Sequence, residues 1–356
     1  MDNNGRELTY AQAINEAIKT AMSADNRVIC YGLGVTDPKG VFGTTLGLEE
    51  EFGTKRVFDV PTSENAFTGV GIGASMTGLL PIMTHQRLDF FLLAIDQLVN
   101  AAAKWHFMFG EQVSIPITIR LIIGRGWGQG PTHSQSLQSW FAHIPGLKVV
   151  MPSNARDAKG MMLSAIFDPN PVVFLEHRWL HNSKSLVPQD EYRVEIGSSE
   201  ILRSGNDITI VASSIMIVEA LRASKYLHDC HGIDVELIDA RSIKPFDWPT
   251  IFKSVSKTGR ILALDSGFSN CSVSSEICSR VASEMFNDLK SAPKKLGMPD
   301  QSEPTSFALT KGFHRGATEI VEEVLKVFQI KDMHIVKSLI SPVKHDVPGE
   351  WFAGPF

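Results

Sequence analysis

The chain has 356 residues, 43% of them hydrophobic and 21% charged, which is typical of a globular protein with room for two domains. A net charge of −5 argues against the positive surface that nucleic acids or anionic membranes attract. Four cysteines, none in a C-x-x-C pair, argue against a disulfide framework and a zinc site. The N-terminal residues lack an apolar signal core and no membrane-length apolar run occurs, so we expect a cytoplasmic protein.

Short β-rich runs alternate with helical stretches in the first half of the chain, a pattern typical of a parallel sheet with helices on both faces. The predicted elements, in chain order, are a helix at 9–22, strands at 27–34, 55–61 and 79–85, a helix at 92–108, strands at 115–123 and 147–152, a helix at 154–167 and a strand at 171–177. A polar segment at 181–197 is predicted to be a linker.

The alternation restarts after this linker and predicts a second α/β domain. Its predicted elements are strands at 207–214, 234–240 and 260–265 and helices at 215–230, 247–256, 273–289 and 317–327. We therefore expect one domain at 1–190, a second at 200–340 and a C-terminal tail at 341–356.

One acidic residue, Glu64, stands where a predicted strand meets a helix rich in small residues. Ser63 precedes it as a candidate N-cap. The small residues that would let another backbone or a ligand approach this helix are Gly69, Gly71, Gly73, Ala74 and Gly78. From spacing alone, Glu64 is either a surface acid that complements the helix dipole or a buried catalytic acid.

A glycine-rich loop, GRGWGQGPTHSQS at 124–136, contains the second candidate residue, His133. Loops of this kind either cradle a polar ligand or simply turn the chain, and spacing alone leaves both open. The sequence has no G-x-G-x-x-G after a strand, no Walker A motif and no H-E-x-x-H pair. Dinucleotide, nucleoside triphosphate and metal-hydrolase sites of those kinds are therefore not indicated.

Taken together, several longer segments resemble the β subunit of the decarboxylase component of 2-oxo acid dehydrogenases, of the pyruvate dehydrogenase type. PTSENAFTGVGIGASMTGLLPI is similar to the family's S-E-x-x-F-x-G helix, and AIDQLVNAAAK is similar to its A-[IF]-D-Q helix. The stretch 133–177 follows the family almost position by position, and DARSIKPFDWPTI and SSEICSRVA resemble segments of its second domain. The resemblance implies an α/β fold with a transketolase-like pyrimidine-binding domain, built on a mostly parallel sheet, and a transketolase C-terminal-like domain.

The resemblance also implies an enzyme that uses thiamine diphosphate to decarboxylate a 2-oxo acid such as pyruvate and transfers the acyl unit to an acceptor such as lipoamide. It implies that Glu64 hydrogen-bonds N1′ of the cofactor's aminopyrimidine and that Phe90 stacks on that ring. His133 aligns with the family's active-site histidine, which helps to bind or protonate intermediates and the acceptor. The positions that match a structural K⁺ site, held chiefly by backbone carbonyls, are Ile117, Ala165, Asp168 and Asn170.

A partner is implied as well. The family holds the diphosphate and its Mg²⁺ in a G-D-G…N-N motif of an α subunit, within an α2β2 heterotetramer. This chain contains no such motif, so it resembles the half of the enzyme that needs an α subunit to complete the cofactor site. A lipoyl acyltransferase is a further partner that the dehydrogenase resemblance implies.

Departures from the family pattern leave the acceptor open. Leu33 and Gly34 stand where family dehydrogenases usually carry an acidic pair, and the GPTH sequence is more similar to transketolases and deoxyxylulose-phosphate synthases. Arg87 and Asp89 lie beside the expected pocket and make it more polar than is expected for pyruvate or branched-chain 2-oxo acids. The alternatives are a carboligase or acyl transferase that makes acyloins or branched sugars and, from another class, a non-catalytic structural subunit. Retention of both the candidate acid and the candidate histidine argues against the structural subunit.

Overall fold

The computed structural model describes residues 5–331 together with Leu339 and Val347. Apart from Val347, the predicted C-terminal tail at 341–356 lies outside the described residues. Within the described ranges, no helix combines the length and the apolar character that a membrane crossing demands.

The chain divides into two compact units. Of the described residues, the first unit comprises those up to Gly124 and the stretch Trp140–Ile196, and the second comprises Arg125–Ser139 and those from Gly197 onward. The predicted domain limits, 1–190 and 200–340, stay predictions.

The first unit is built on a parallel sheet. The strands are β1 Gly5–Thr9, β2 Val28–Gly32, β3 Val57–Asp59, β4 Leu80–His85, β5 Thr118–Ile123, β6 Lys148–Val150, β7 Val172–His177 and β8 Lys184–Pro188. The α-helices are α1 Tyr10–Ala24, α2 Gly40–Gly43, α3 Leu48–Phe52, α4 Glu64–Met76, α5 Leu88–Phe91, α6 Trp105–Met108, α7 Gln138–His143 and α8 Ala155–Ile166, and the first two residues of α7 fall in the second unit. Strands β6, β7, β5, β4, β2 and β3 are hydrogen-bonded in that order, and every pair is parallel.

The buried strands and the helix faces follow from the sequence pattern. Every residue of β4, β5 and β7 is buried, as expected for parallel strands that are covered on both faces. Helix α1 begins with a capping box formed by Thr9 and Gln12 and buries an apolar face that packs against α8. At the centre of the sheet, the guanidinium of Arg120 pairs with the carboxylate of Glu176, and both side chains are fully buried.

Two sequence predictions for this unit were wrong in detail. The segment predicted as one helix at 92–108 is helical from Leu88 onward, but it contains a 3-10 turn at Leu92–Ala94 and a π-helix at Gln97–Ala102. The segment predicted as a linker at 181–197 contains β8, which pairs antiparallel with β1. Both of these strands are largely exposed. Their sequences therefore lack the continuous apolar run that predicts a buried strand.

The second unit contains a smaller mixed sheet. The strands of this unit are β9 Glu200–Arg203, β10 Ile208–Ala212, β11 Val235–Asp239, β12 Ser242–Lys244, β13 Ile261–Phe268 and β14 Lys294–Met298, of which β12 is not part of this sheet. Its helices are α9 Ile215–His231, α10 Trp248–Thr258, α11 Val273–Glu284 and α12 Ala317–Val327. The strand order is β14-β13-β10-β11-β9, with β9 antiparallel and the other pairs parallel. The predicted strands and helices of this unit are present, whereas β9, β12 and β14 were not predicted.

Candidate active site

Glu64 is the first residue of α4, directly after the loop that follows β3. The residue is only 7% exposed, and no described residue makes a hydrogen bond or an ion pair with its carboxylate. Ser63 occupies the N-cap position, but its hydroxyl makes no capping hydrogen bond to the described part of the helix. Glu64 is therefore not an exposed cap. It is a buried residue whose carboxylate has no partner in the described part of the chain.

A small open pocket lies beside Glu64. Its apolar walls are the side chains of Leu33, Val60, Phe67 and Met83. Two ionisable side chains, Glu64 and His85, line the same space. Apolar walls with a few polar groups are typical of sites that bind small molecules.

The pocket lies at the carboxyl ends of neighbouring parallel strands, where α/β sheets commonly bind ligands. Gly32 ends β2 with φ of +152°, and a Cβ atom there would overlap the backbone carbonyl of Thr84 on β4. The loop that follows is held by the carboxylate of Asp59, which accepts hydrogen bonds from the backbone N–H groups of Val35 at 2.6 Å and Thr36 at 3.2 Å. The loop that contains Leu33 is thus held in place by Asp59, the last residue of β3.

His85, the last residue of β4, is a pocket residue that the sequence analysis missed. It is 2% exposed, and neither ring nitrogen has a hydrogen-bond partner among the described residues. Burial lowers the pKa of His85 to about 3, so the imidazole is neutral at physiological pH. Its ring meets that of Phe91 edge-on, with 4.9 Å between the centroids. The available signal was a polar residue at the end of an otherwise apolar strand.

Helix α4 is held close to the sheet by a glycine. A Cβ atom at Gly71 would overlap the hydroxyl of Tyr31 and lie 2.9 Å from Cδ1 of Ile117. The same hydroxyl donates a 2.9 Å hydrogen bond to the backbone carbonyl of Phe67. The close approach that the small residues of this helix predict therefore occurs at Gly71. At Gly73 a Cβ atom would meet no described atom within 4 Å.

The other predicted residues of the first unit lie near this region or elsewhere on the sheet. Phe90 is on α5, is 37% exposed and is not one of the residues that line the described pocket. Arg87 is buried, and its Nη1 donates a 3.4 Å hydrogen bond to the carbonyl of Gly124. The stacking role of Phe90 stays a prediction.

His133 belongs to the second unit, in the loop Arg125–Ser139. It is exposed, with its Nδ1 3.1 Å from Oγ1 of Thr132. The glycines before it adopt left-handed conformations, and a Cβ atom at Gly130 would overlap Oγ1 of Thr305. The loop ends at Gln138, whose amide donates to the buried carboxylate of Asp265. The loop is thus a defined structure with an exposed histidine.

The four residues predicted to hold K⁺ cluster at the start of β5 and in the turn between α8 and β7. The carbonyl of Ile117 accepts a 3.0 Å hydrogen bond from the N–H of Val172, and that of Ala165 accepts a 3.3 Å bond from the N–H of Asp168. The carboxylate of Asp168 accepts a 2.9 Å bond from the N–H of Asn170 and pairs with the ammonium of Lys148. Across the described ranges, no group of three or more His, Cys, Asp or Glu side chains could hold a metal ion.

Comparison with known proteins identifies both units. The family model of the transketolase pyrimidine-binding domain matches residues 6–183, and that of the transketolase C-terminal domain matches residues 197–318. A split-gene transketolase, solved as an inactive β4 tetramer, superposes with a TM-score of 0.74 at 20% identity, over 91% of this chain and 99% of that one. The predicted transketolase-like α/β fold is confirmed.

Two relatives indicate which members of the transketolase-like family are similar in sequence to this chain. The pyruvate dehydrogenase E1 component subunit beta of Rhizobium meliloti (strain 1021) is 40% identical over 321 residues, which cover 90% of this chain and 70% of the relative. The acetoin:2,6-dichlorophenolindophenol oxidoreductase subunit beta of Bacillus subtilis (strain 168) is 38% identical over 334 residues, which cover 90% of this chain and 97% of the relative. The chain therefore belongs to the transketolase-like family that contains the β subunits of the pyruvate dehydrogenase E1 component.

Proposed function

We propose that the chain is the β subunit of an enzyme that decarboxylates a 2-oxo acid of the pyruvate type with thiamine diphosphate and passes the acyl unit to an acceptor such as lipoamide. The observation that carries this proposal is the state of Glu64. It is a buried carboxylate with no partner in the described structure, at the edge of an apolar pocket. The pocket lies within the segment that matches the transketolase pyrimidine-binding domain. The Rhizobium meliloti relative is named as a pyruvate dehydrogenase E1 subunit beta, which agrees with the proposed reaction.

The residues of the pocket fit the aminopyrimidine part of thiamine diphosphate. Glu64 would hold and exchange a proton at N1′ of the ring, while Leu33 and Phe67 would exclude water from its faces. When bound, thiamine diphosphate supplies the electron sink that accepts the electron pair left by departing CO₂. Phe90 is proposed to stack on the ring, and His133 is proposed to bind the substrate and the incoming acceptor.

An α subunit completes the proposed enzyme. The chain has no diphosphate-binding motif, and its relatives are named as subunits. Several large apolar side chains of the first unit are exposed, as on surfaces that bind other proteins: Val70, Leu93, Phe107 and Met108. We propose an α2β2 heterotetramer in which α holds the diphosphate and Mg²⁺. The K⁺ site, a lipoyl acyltransferase partner and a cytoplasmic location stay predictions.

Glu64→Gln in the assembled α/β complex tests the catalytic role of the carboxylate. Turnover of pyruvate should fall at least about 100-fold, because an amide cannot exchange the proton. The complex should still assemble, as judged by size-exclusion chromatography. The matched control is Glu50→Gln, which neutralises an exposed acid in the first turn of α3 and should leave turnover unchanged. Near-normal activity of Glu64→Gln would reject the proposal in favour of a structural subunit.

A second candidate is a carboligase, in which the acyl unit is joined to an aldehyde, a ketone or a sugar. The observation that favours it is Leu33, an apolar residue in the pocket wall where the dehydrogenases usually carry an acid. One of the two relatives is also named for acetoin, an acyloin. Analysis of the products formed from pyruvate by the α/β complex separates the candidates. Acetyl-lipoamide supports the dehydrogenase, and acyloin or branched-sugar products support the carboligase.

A further inference from the structure

The pocket beside Glu64 contains an ionisable group that the proposed chemistry does not use. His85 ends β4, a strand in which all six residues are buried. Nδ1 and Nε2 both lack a hydrogen-bond partner among the residues that the structure describes. Burying an imidazole in this way removes its hydrogen bonds to water without replacing them. Such a group points to a ligand that restores them.

The pocket itself indicates where that ligand would lie. His85 and Glu64 line the same small pocket, so a ligand bound there would adjoin both side chains. The neighbouring side chains of Leu33, Val60 and Phe67 are hydrocarbon and cannot satisfy a ring nitrogen. The edge-on contact with Phe91, at 4.9 Å between the ring centroids, is also apolar.

We propose that His85 is a binding residue for the heteroaromatic ring held by Glu64, and that its imidazole hydrogen-bonds a polar atom on the edge of that ring. This inference rests on the proposed function, which supplies an aminopyrimidine as the ligand. A neutral imidazole offers one donor and one acceptor, and an aminopyrimidine carries both acceptor nitrogens and a donating amino group. An anionic 2-oxo acid would instead call for a cation, and burial keeps His85 uncharged.

The direct test measures binding of thiamine diphosphate by calorimetry, in the presence of Mg²⁺, to the full chain assembled with its α subunit. His85→Phe keeps a ring of similar shape and removes both nitrogens. Its Kd should rise about 5- to 10-fold, as expected for the loss of one neutral hydrogen bond. His85→Gln, which keeps a donor and an acceptor, should recover part of the affinity. The control His143→Gln, at an exposed histidine that ends α7, should leave the Kd unchanged.

Thermal unfolding of the same variants distinguishes a ligand contact from a structural role. Without cofactor, His85→Phe should melt at the same temperature as the wild type or higher, because an unsatisfied polar group has been removed. Saturation with thiamine diphosphate should then raise its melting temperature less than that of the wild type. A lower melting temperature in the cofactor-free state, together with an unchanged Kd, would show that His85 only supports the fold.

The possible failures are distinguishable. If the wild-type complex does not bind thiamine diphosphate, the proposed function falls and the role of His85 falls with it. If the wild type binds and His85→Phe binds equally well, only the role of His85 is refuted. An unchanged Kd combined with a raised KM for pyruvate would assign His85 to the substrate, which also overturns the inference.

Discussion

Gly71→Ala and Gly73→Ala make the same chemical change on the same helix, yet the structure predicts opposite effects on stability. Alanine is favoured over glycine in a helix by about 0.5–1 kcal/mol. At Gly73, where a Cβ atom would meet no described atom within 4 Å, this preference should appear as stabilisation. At Gly71 the added methyl group would overlap the Tyr31 hydroxyl and press on Ile117.

The expected cost at Gly71 follows from these contacts. Overpacking a dense interior costs about 1–3 kcal/mol, and displacing the Tyr31 hydroxyl from the carbonyl of Phe67 costs about 0.5–1.5 kcal/mol more. After subtraction of the helix preference, Gly71→Ala should lower the free energy of unfolding by about 0.5–4 kcal/mol. Because Glu64 begins the same helix about two turns earlier, Gly71→Ala should also weaken thiamine diphosphate binding.

Urea unfolding of the full chain, monitored by far-UV circular dichroism, gives the free energy of unfolding of the Gly71→Ala and Gly73→Ala variants. Tyr31→Phe provides a further check, because it removes the atom nearest to the new methyl group and leaves Cζ at 3.3 Å. In a double-mutant cycle, Gly71→Ala with Tyr31→Phe should be less destabilising than the sum of the single changes by about 1 kcal/mol. A stability change of the same sign at Gly71 and Gly73, or strict additivity in the cycle, would refute this account of the packing.

Three further predictions follow from single contacts. Gly130→Ala, at φ of +70° and against Oγ1 of Thr305, should destabilise the second unit by about 1–2 kcal/mol in urea unfolding. The pKa of His85 is about 3 in the folded protein and 6.5 in the unfolded chain. Between about pH 3 and 6.5 the imidazole of His85 is therefore protonated only in the unfolded chain. Stability should therefore fall on acidification by up to about 1.4 kcal/mol per pH unit, and His85→Phe should remove that contribution from pH-dependent melting curves. Glu176→Gln should cost about 3–5 kcal/mol in urea unfolding by leaving the buried guanidinium of Arg120 without its counter-charge, and a loss below 1 kcal/mol would contradict this.

The elements that sequence analysis predicts well are those whose burial is continuous. Strands β4, β5 and β7 are buried at every residue and stand out as apolar runs between helices. Strands β1 and β8 consist mostly of exposed and partly buried residues without a regular alternation, and they pair with each other across most of the first unit's sequence, so no local pattern reveals them. The breaks in the helical segment after Leu88 depend on packing around it and have no signal in apolar spacing.

The site could be predicted in part. Glu64 stood out because an acid beside small residues is unusual, although spacing could not distinguish a cap from a buried acid. The low exposure of Glu64 in the structure excludes an exposed cap, and residues of the loops after β2 and β3 line the pocket beside it. His85 was missed because one polar residue at a strand end has many ordinary explanations. Its lack of a partner in the described structure becomes visible only when the neighbouring side chains are in place.

Two buried glutamates in the first unit show how a site differs from a structural ion pair. Glu176 is fully buried and accepts hydrogen bonds from Nε and Nη2 of Arg120 at 2.6 and 3.0 Å, so its charge is balanced within the protein. Glu64 is nearly as buried but has no such cation in the described structure, and the N-terminus of α4 offsets only about 0.3–1 kcal/mol of its desolvation. Within the described structure, the fold thus gives one carboxylate a cation and the other none. Neutralising Glu64 should therefore leave the fold intact or stabilise it, whereas neutralising Glu176 should destabilise it, and this contrast would support the proposed ligand-binding role of Glu64.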